Sequence, residues 1–127
     1  MENYPTHPPV RAWRCFDIHT PVSGRHGLIS PMAGGGVLFP NQVYRATCNH
    51  CYDTDSNWHE APQFDCTCGF YAFKKRRDAR AYLRSAVMAE VLLGGKIIET
   101  ELGYRAEQMI IVKLYPRKGV AHEVGYL

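Results

Sequence analysis

Four cysteines fall within a short stretch of this chain, as Cys48-x2-Cys51, fourteen intervening residues, then Cys66-x-Cys68-Gly69. No other feature restricts the fold as much. Zinc takes four soft or borderline ligands in a tetrahedron. A C-x2-C turn curls the backbone so that two thiolates meet one ion. In a C-x-C step the side chains of alternate residues leave an extended segment on the same side, so both reach it as well. Gly69 permits a tight turn behind the last ligand. His50 and His59 add imidazoles, so six groups compete for four places. Two ligand sets follow: Cys48, Cys51, Cys66 and Cys68, or the same set with His59 in place of Cys51. The arrangement is similar to a treble-clef or zinc-ribbon knuckle pair, although ribbons use C-x2-C twice.

The chain has 5 Cys, an odd number that excludes a fully paired disulfide framework. The N-terminal residues include Pro5, Pro8 and Pro9 and hold no apolar core of a secretion signal, so a cytoplasmic setting with reduced thiols is expected. Clustered reduced thiols point to metal. A redox C-x-x-C opens a helix in a βαβ unit, whereas Cys51 precedes the polar run Asp53-Thr-Asp-Ser-Asn57. A catalytic zinc keeps an open position, and the surplus of ligands favours a closed, structural site. Cys15 lies apart and reads as a core thiol.

Other motifs dissolve on inspection. The run from Asp53 imitates an EF-hand loop, but its sixth position is Trp58 and its twelfth is Phe64. His59-Glu60-Ala-Pro62 lacks the second histidine of a zinc-protease helix. Gly34-Gly-Gly36 lacks the Lys-Ser/Thr of a phosphate loop.

The chain has 127 residues, 46% of them hydrophobic, which suits one folded domain over 1–127. No apolar run reaches the ~18 residues a membrane helix needs. The net charge of +3 does not by itself demand an anionic partner. Residues 1–10 are expected to form a loose arm, 48–69 a metal-binding loop and 116–127 a tail. Strands are expected at 11–18, 27–30, 37–39, 42–47 and 70–73. Residues 88–93 and 96–102 flank Gly94-Gly95, a pair suited to a two-residue hairpin turn. Gly103-Tyr104-Arg105 would turn the chain again into a last strand over 106–115, with Ile110, Val112 and Leu114 on one face. The spacing of Ala79, Tyr82, Leu83 and Ala86 predicts a helix over 75–86. The expected class is α+β: an antiparallel sheet of five or six strands, one packed helix and a metal-bound loop.

Lys74, Lys75, Arg76, Arg77, Arg80 and Arg84 place six of the 15 Lys and Arg in eleven positions at and along that helix, offset only by Asp78. A basic helix beside a zinc knuckle fits phosphates. It also fits an acidic protein surface, and a solvated face is the usual role of such a run.

The order Leu28-Ile-Ser-Pro31, Ala46-Thr-Cys48, His59-Glu-Ala-Pro62, Cys66-Thr-Cys-Gly-Phe-Tyr-Ala72 and Gly103-Tyr-Arg-Ala-Glu107 resembles a family of small uncharacterised proteins of actinobacteria and their bacteriophages. The resemblance covers most of residues 28–107. It implies Cys48, His59, Cys66 and Cys68 as the shared constellation, with Cys51 an extra. For a phage protein it implies a host-directed role in the host cytoplasm. The expected function is a small, non-enzymatic zinc-binding module with a protein partner. A nucleic-acid-binding zinc protein and a small enzyme or ligand-binding domain are the alternatives.

Overall fold

A computed structural model describes residues 9–19, 27–29, 37–48, 61–64, 66, 68–82 and 87–116. Six strands and one helix lie among these residues. They are β1 (Val10–His19), β2 (Gly27–Ile29), β3 (Val43–Arg45), β4 (Phe70–Phe73), α1 (Arg76–Tyr82), β5 (Val87–Glu99) and β6 (Gly103–Pro116). The arm, the tail and the Gly34–Gly36 loop lie outside the described residues, apart from Pro9, Val10 and Pro116.

Every ladder is antiparallel. β5 and β6 form the longest, from Val87↔Pro116 to Glu99↔Tyr104. β1 lies on the other edge of β5, from Val10↔Leu93 to Phe16↔Val87. β4 lies on the other edge of β6, from Phe70↔Ala106 to Phe73↔Gly103. β4 then meets β1 at Trp13↔Phe73. The pairings therefore run β1–β5–β6–β4–β1 and close on themselves, which removes open edges from those four strands where they pair. β3 continues along β6 beyond β4, and β2 along β1 beyond β4. A two-way hydrogen bond between Leu28 and Leu38 ties β2 to the segment leading into β3.

The closed ring explains a near-total burial of small and branched side chains. Ala12, Phe16, Leu28, Ala72, Val87, Ala89, Val91, Leu93, Ala106, Met109 and Ile111 form one core cluster, each 0% or 1% exposed. Where the short β1–β4 ladder ends, the Arg14 guanidinium donates to the Tyr71 carbonyl at 3.2 Å and stacks over Phe16 at 5.2 Å. Burial pushes its pKa down to about 10, so it stays charged at neutral pH.

On the outer face of the sheet Phe73 and Met88 form a second cluster with Ala79 of α1, flanked by Trp13, Cys15, Tyr71 and Tyr115. Both faces of β1 are thus covered: Ala12 and Phe16 face the interior, Trp13 and Cys15 the helix. The helix begins one residue later than its periodicity predicts. It starts at Arg76 and is described to Tyr82, and residues 83–86 lie outside the described part.

Two expectations fail in the β5–β6 region for one reason. Gly94-Gly95 is not a hairpin turn; β5 runs straight through it. The register slips between Gly94 and Ile97, and Gly95 takes φ +71°. A left-handed glycine serves a bulge as well as a turn. Glu107 occupies the bulge, accepting the Lys96 N–H at 3.0 Å and pairing with Arg45. The true reversal lies at 100–102. There the Thr100 N–H donates to the Gly103 carbonyl at 2.8 Å, and the Thr100 hydroxyl accepts from the Gly103 N–H at 3.1 Å. Gly103-Tyr104-Arg105 is already strand, and Leu102 is exposed in the turn.

A second register shift, between Glu90 and Val91, leaves Val112 without a partner in the ladder. Core-facing positions on β6 therefore run Ala106, Met109, Ile111, Leu114. The expected face of Ile110, Val112 and Leu114 does not exist.

Candidate metal centre

The cysteine segment is docked on β6. After β3 the chain stays alongside β6 through the Ala46 N–H, which donates to the Glu107 carbonyl at 2.8 Å, and it reaches Cys48, 2% exposed. The returning segment buries Ala61 and Pro62 through a cis peptide bond. Gly69 closes the segment with φ +108°, and a Cβ there would lie 2.9 Å from the Pro62 Cβ and 3.3 Å from the Ala106 carbonyl oxygen. Only glycine lets the backbone pass this close to β6 and turn into β4.

Cys48, Cys66 and Cys68 are brought together, their sulfurs within 4.8 Å of one another, with Cys48 and Cys68 buried. The Cys48 and Cys66 sulfurs are 3.5 Å apart. A disulfide needs about 2.05 Å, so this is not a bridge. Tetrahedral zinc with Zn–S bonds of ~2.3 Å sets its sulfurs ~3.8 Å apart, and the cluster spans that spacing. Three close cysteines of this kind could hold a metal ion. The Cys68 thiol is pushed up to about 11, first by burial and then by its hydrogen bonds with Cys66 and Cys48, while a Gln63 backbone hydrogen bond pulls the other way. Crowded thiols resist becoming thiolates together because like charges repel. A coordinated cation reverses that preference.

Cys51, His50 and His59 lie outside the described residues, as do the Asp53–Asn57 run and Glu60. Cys15 stands apart under α1, its thiol donating to the Ala79 carbonyl at 3.2 Å and touching the Met88 sulfur at 3.9 Å. Burial raises its pKa.

The basic run is divided. Lys74 pairs with Glu99 at 2.6 Å and lies over Tyr104. Arg76 turns inward, its guanidinium 4.3 Å from the Tyr115 ring centre and 5.5 Å from that of Trp13. Lys75, Arg77 and Arg80 are exposed, and Arg84 lies outside the described residues.

One residue at the site carries no ligand chemistry, and motif reading does not connect it with the cysteines. Arg105 on β6 donates to the carbonyls of Gln63, Cys66 and Cys68, at 3.0 Å to Gln63 and 3.1 Å to Cys68. Its trace in sequence is its place in the Gly103-Tyr-Arg-Ala-Glu107 element, which gives it no role at the cysteines.

Comparison with protein-family models, with curated proteins and with solved structures finds no match for the chain. Among the described residues no helix is long and apolar enough to cross a membrane.

Proposed function

We propose that this protein is a small, non-enzymatic zinc-binding module that presents its metal-braced loop to a protein partner. The observation that carries the reading is the convergence of three cysteine sulfurs within 4.8 Å on a segment fastened to β6. Cys48, Cys66 and Cys68 supply three ligands, and the fourth comes from Cys51 or His59. The ion is structural: it ties the two ends of the 48–68 loop together and gives a short, polar segment the rigidity its small apolar cluster cannot supply.

Support for a protein partner comes from Phe64, which is 82% exposed two residues before Cys66. An aromatic held in water on a rigid loop is the kind of anchor that interfaces bury. The likeness to proteins of actinobacteria and their phages directs the proposal toward a host factor in the host cytoplasm.

The test is metal content of protein purified without chelator, for the unaltered chain and for Cys51→Ser and His59→Ala. About one zinc per chain, lost in only one variant, supports the reading and names the fourth ligand. Absence of metal with reactive thiols overturns it. The exposed Lys75, Arg77 and Arg80 favour a second reading, contact with nucleic acid. A salt-sensitive complex lost on Arg77→Glu and Arg80→Glu would carry that reading instead.

A further inference from the structure

We infer that Arg105 is the positioning residue of the metal centre, a guanidinium that holds the ligand loop in metal-ready form; this rests on the metal reading above. One Nη of Arg105 donates to three carbonyls of the loop, those of Gln63, Cys66 and Cys68. Two of these belong to ligand residues themselves, and the third lies at the turn preceding them. Fixing a residue's carbonyl fixes the peptide plane on its C-terminal side, which constrains the direction in which its Cβ and sulfur project. The arginine is itself immobile at its base, since it is paired on one side with Tyr71 and on the other with Ile98. The next residue, Ala106, is 0% exposed and lies against the Gly69 backbone. The ligand loop is thus bound to a central strand of the closed sheet through side chain and backbone together.

The charge contributes as well as the geometry. Three thiolates around a divalent ion leave an excess of negative charge, and a guanidinium behind their backbone offsets part of it. Lysine keeps the charge but reproduces the contacts only in part, because its ammonium is a compact, strongly hydrated point charge on a flexible stem, whereas the guanidinium is planar and more weakly hydrated.

The experiment uses cobalt(II) as the probe on the full chain, comparing the unaltered protein with Arg105→Met and Arg105→Lys. Far-UV circular dichroism and urea unfolding establish that each variant is folded. The inference expects Arg105→Met to bind cobalt about 10- to 100-fold more weakly in chelator competition, the usual cost of removing an outer-sphere partner. Its visible ligand-field bands should shift, and Arg105→Lys should recover part of the affinity. A merely structural arginine would lower the urea midpoint and leave the spectrum of the bound metal unchanged. Arg105→Met binding cobalt with unaltered affinity and spectrum overturns the inference. If Arg105→Met does not fold, Arg105→Lys decides alone: unaltered affinity and bands overturn the inference, and a weaker complex with shifted bands supports it. Failure of the unaltered chain to bind cobalt at all overturns the metal reading, and this inference with it.

Discussion

Replacing Gly95 by alanine tests the bulge in β5 and its link to Glu107. At φ +71° an alanine pays the left-handed penalty of about 1–2 kcal/mol. The added Cβ would also lie 2.5 Å from one Glu107 carboxylate oxygen and 3.0 Å from the Glu107 Cβ. The carboxylate must move, and it then loses the Lys96 N–H, a hydrogen bond worth about 1 kcal/mol. Gly95→Ala should therefore cost about 2–3 kcal/mol in total. Glu107→Ala alone removes the same hydrogen bond and an ion pair whose Arg45 side is exposed to solvent, about 1 kcal/mol more. In the double variant the clash with the carboxylate is gone, the tight Cβ contact remains, and the hydrogen bond is lost once rather than twice. Its cost should fall short of the sum of the singles by about 1 kcal/mol. Urea unfolding measures this, since an m-value of about 1–2 kcal/mol/M turns the Gly95→Ala cost into a midpoint drop of about 1–3 M. Additivity within about 0.5 kcal/mol would refute the argument. It would mean that residue 95 does not meet Glu107, as expected of a solvent-facing turn.

Two further predictions concern α1. Arg76→Ala should destabilise the protein by about 1–2 kcal/mol through loss of stacking on Trp13 and Tyr115, with Arg76→Lys intermediate, as read by urea unfolding; equal midpoints for all three proteins would dismiss the stack as incidental. Cys15 has a thiol pKa raised above 9.0 by burial, so it stays protonated in the fold at pH values where the unfolded chain ionises. Its contribution is complete below the ordinary thiol pKa and is lost as pH rises through the raised one. Stability of the unaltered protein should therefore fall more steeply above pH 9 than that of Cys15→Ala, and parallel pH profiles would argue against it.

Where sequence reading succeeds and fails follows from how local the physics is. Cysteine spacing is a short-range property, and three of the expected ligands do converge. Aromatic and β-branched runs announced β1 and β4 because strand propensity reflects a side chain's fit to a pleated surface. Gly94-Gly95 misled because a turn and a bulge make the same demand on the backbone, and only the opposing strand, with Glu107 in place, decides between them. The β6 face was misassigned because its two register shifts break the period of two on which the reading depends. Arg105 stands in the Gly103-Tyr-Arg-Ala-Glu107 element, but its contact with the cysteine loop was out of reach because its acceptors lie 37 to 42 positions away in the chain, joined by a topology that no local pattern encodes. The basic run looked uniform in sequence, yet Lys74 and Arg76 are taken up by Glu99 and the Trp13–Tyr115 pair.

The central claim is that Cys48, Cys66 and Cys68 hold one metal ion. Elemental analysis of the folded 127-residue chain, with Cys66→Ser measured alongside, tests it most directly. The account predicts about one zinc per chain in the unaltered protein and a large loss in the variant. Metal-free protein whose cysteines all react readily with a thiol reagent in the folded state would contradict it.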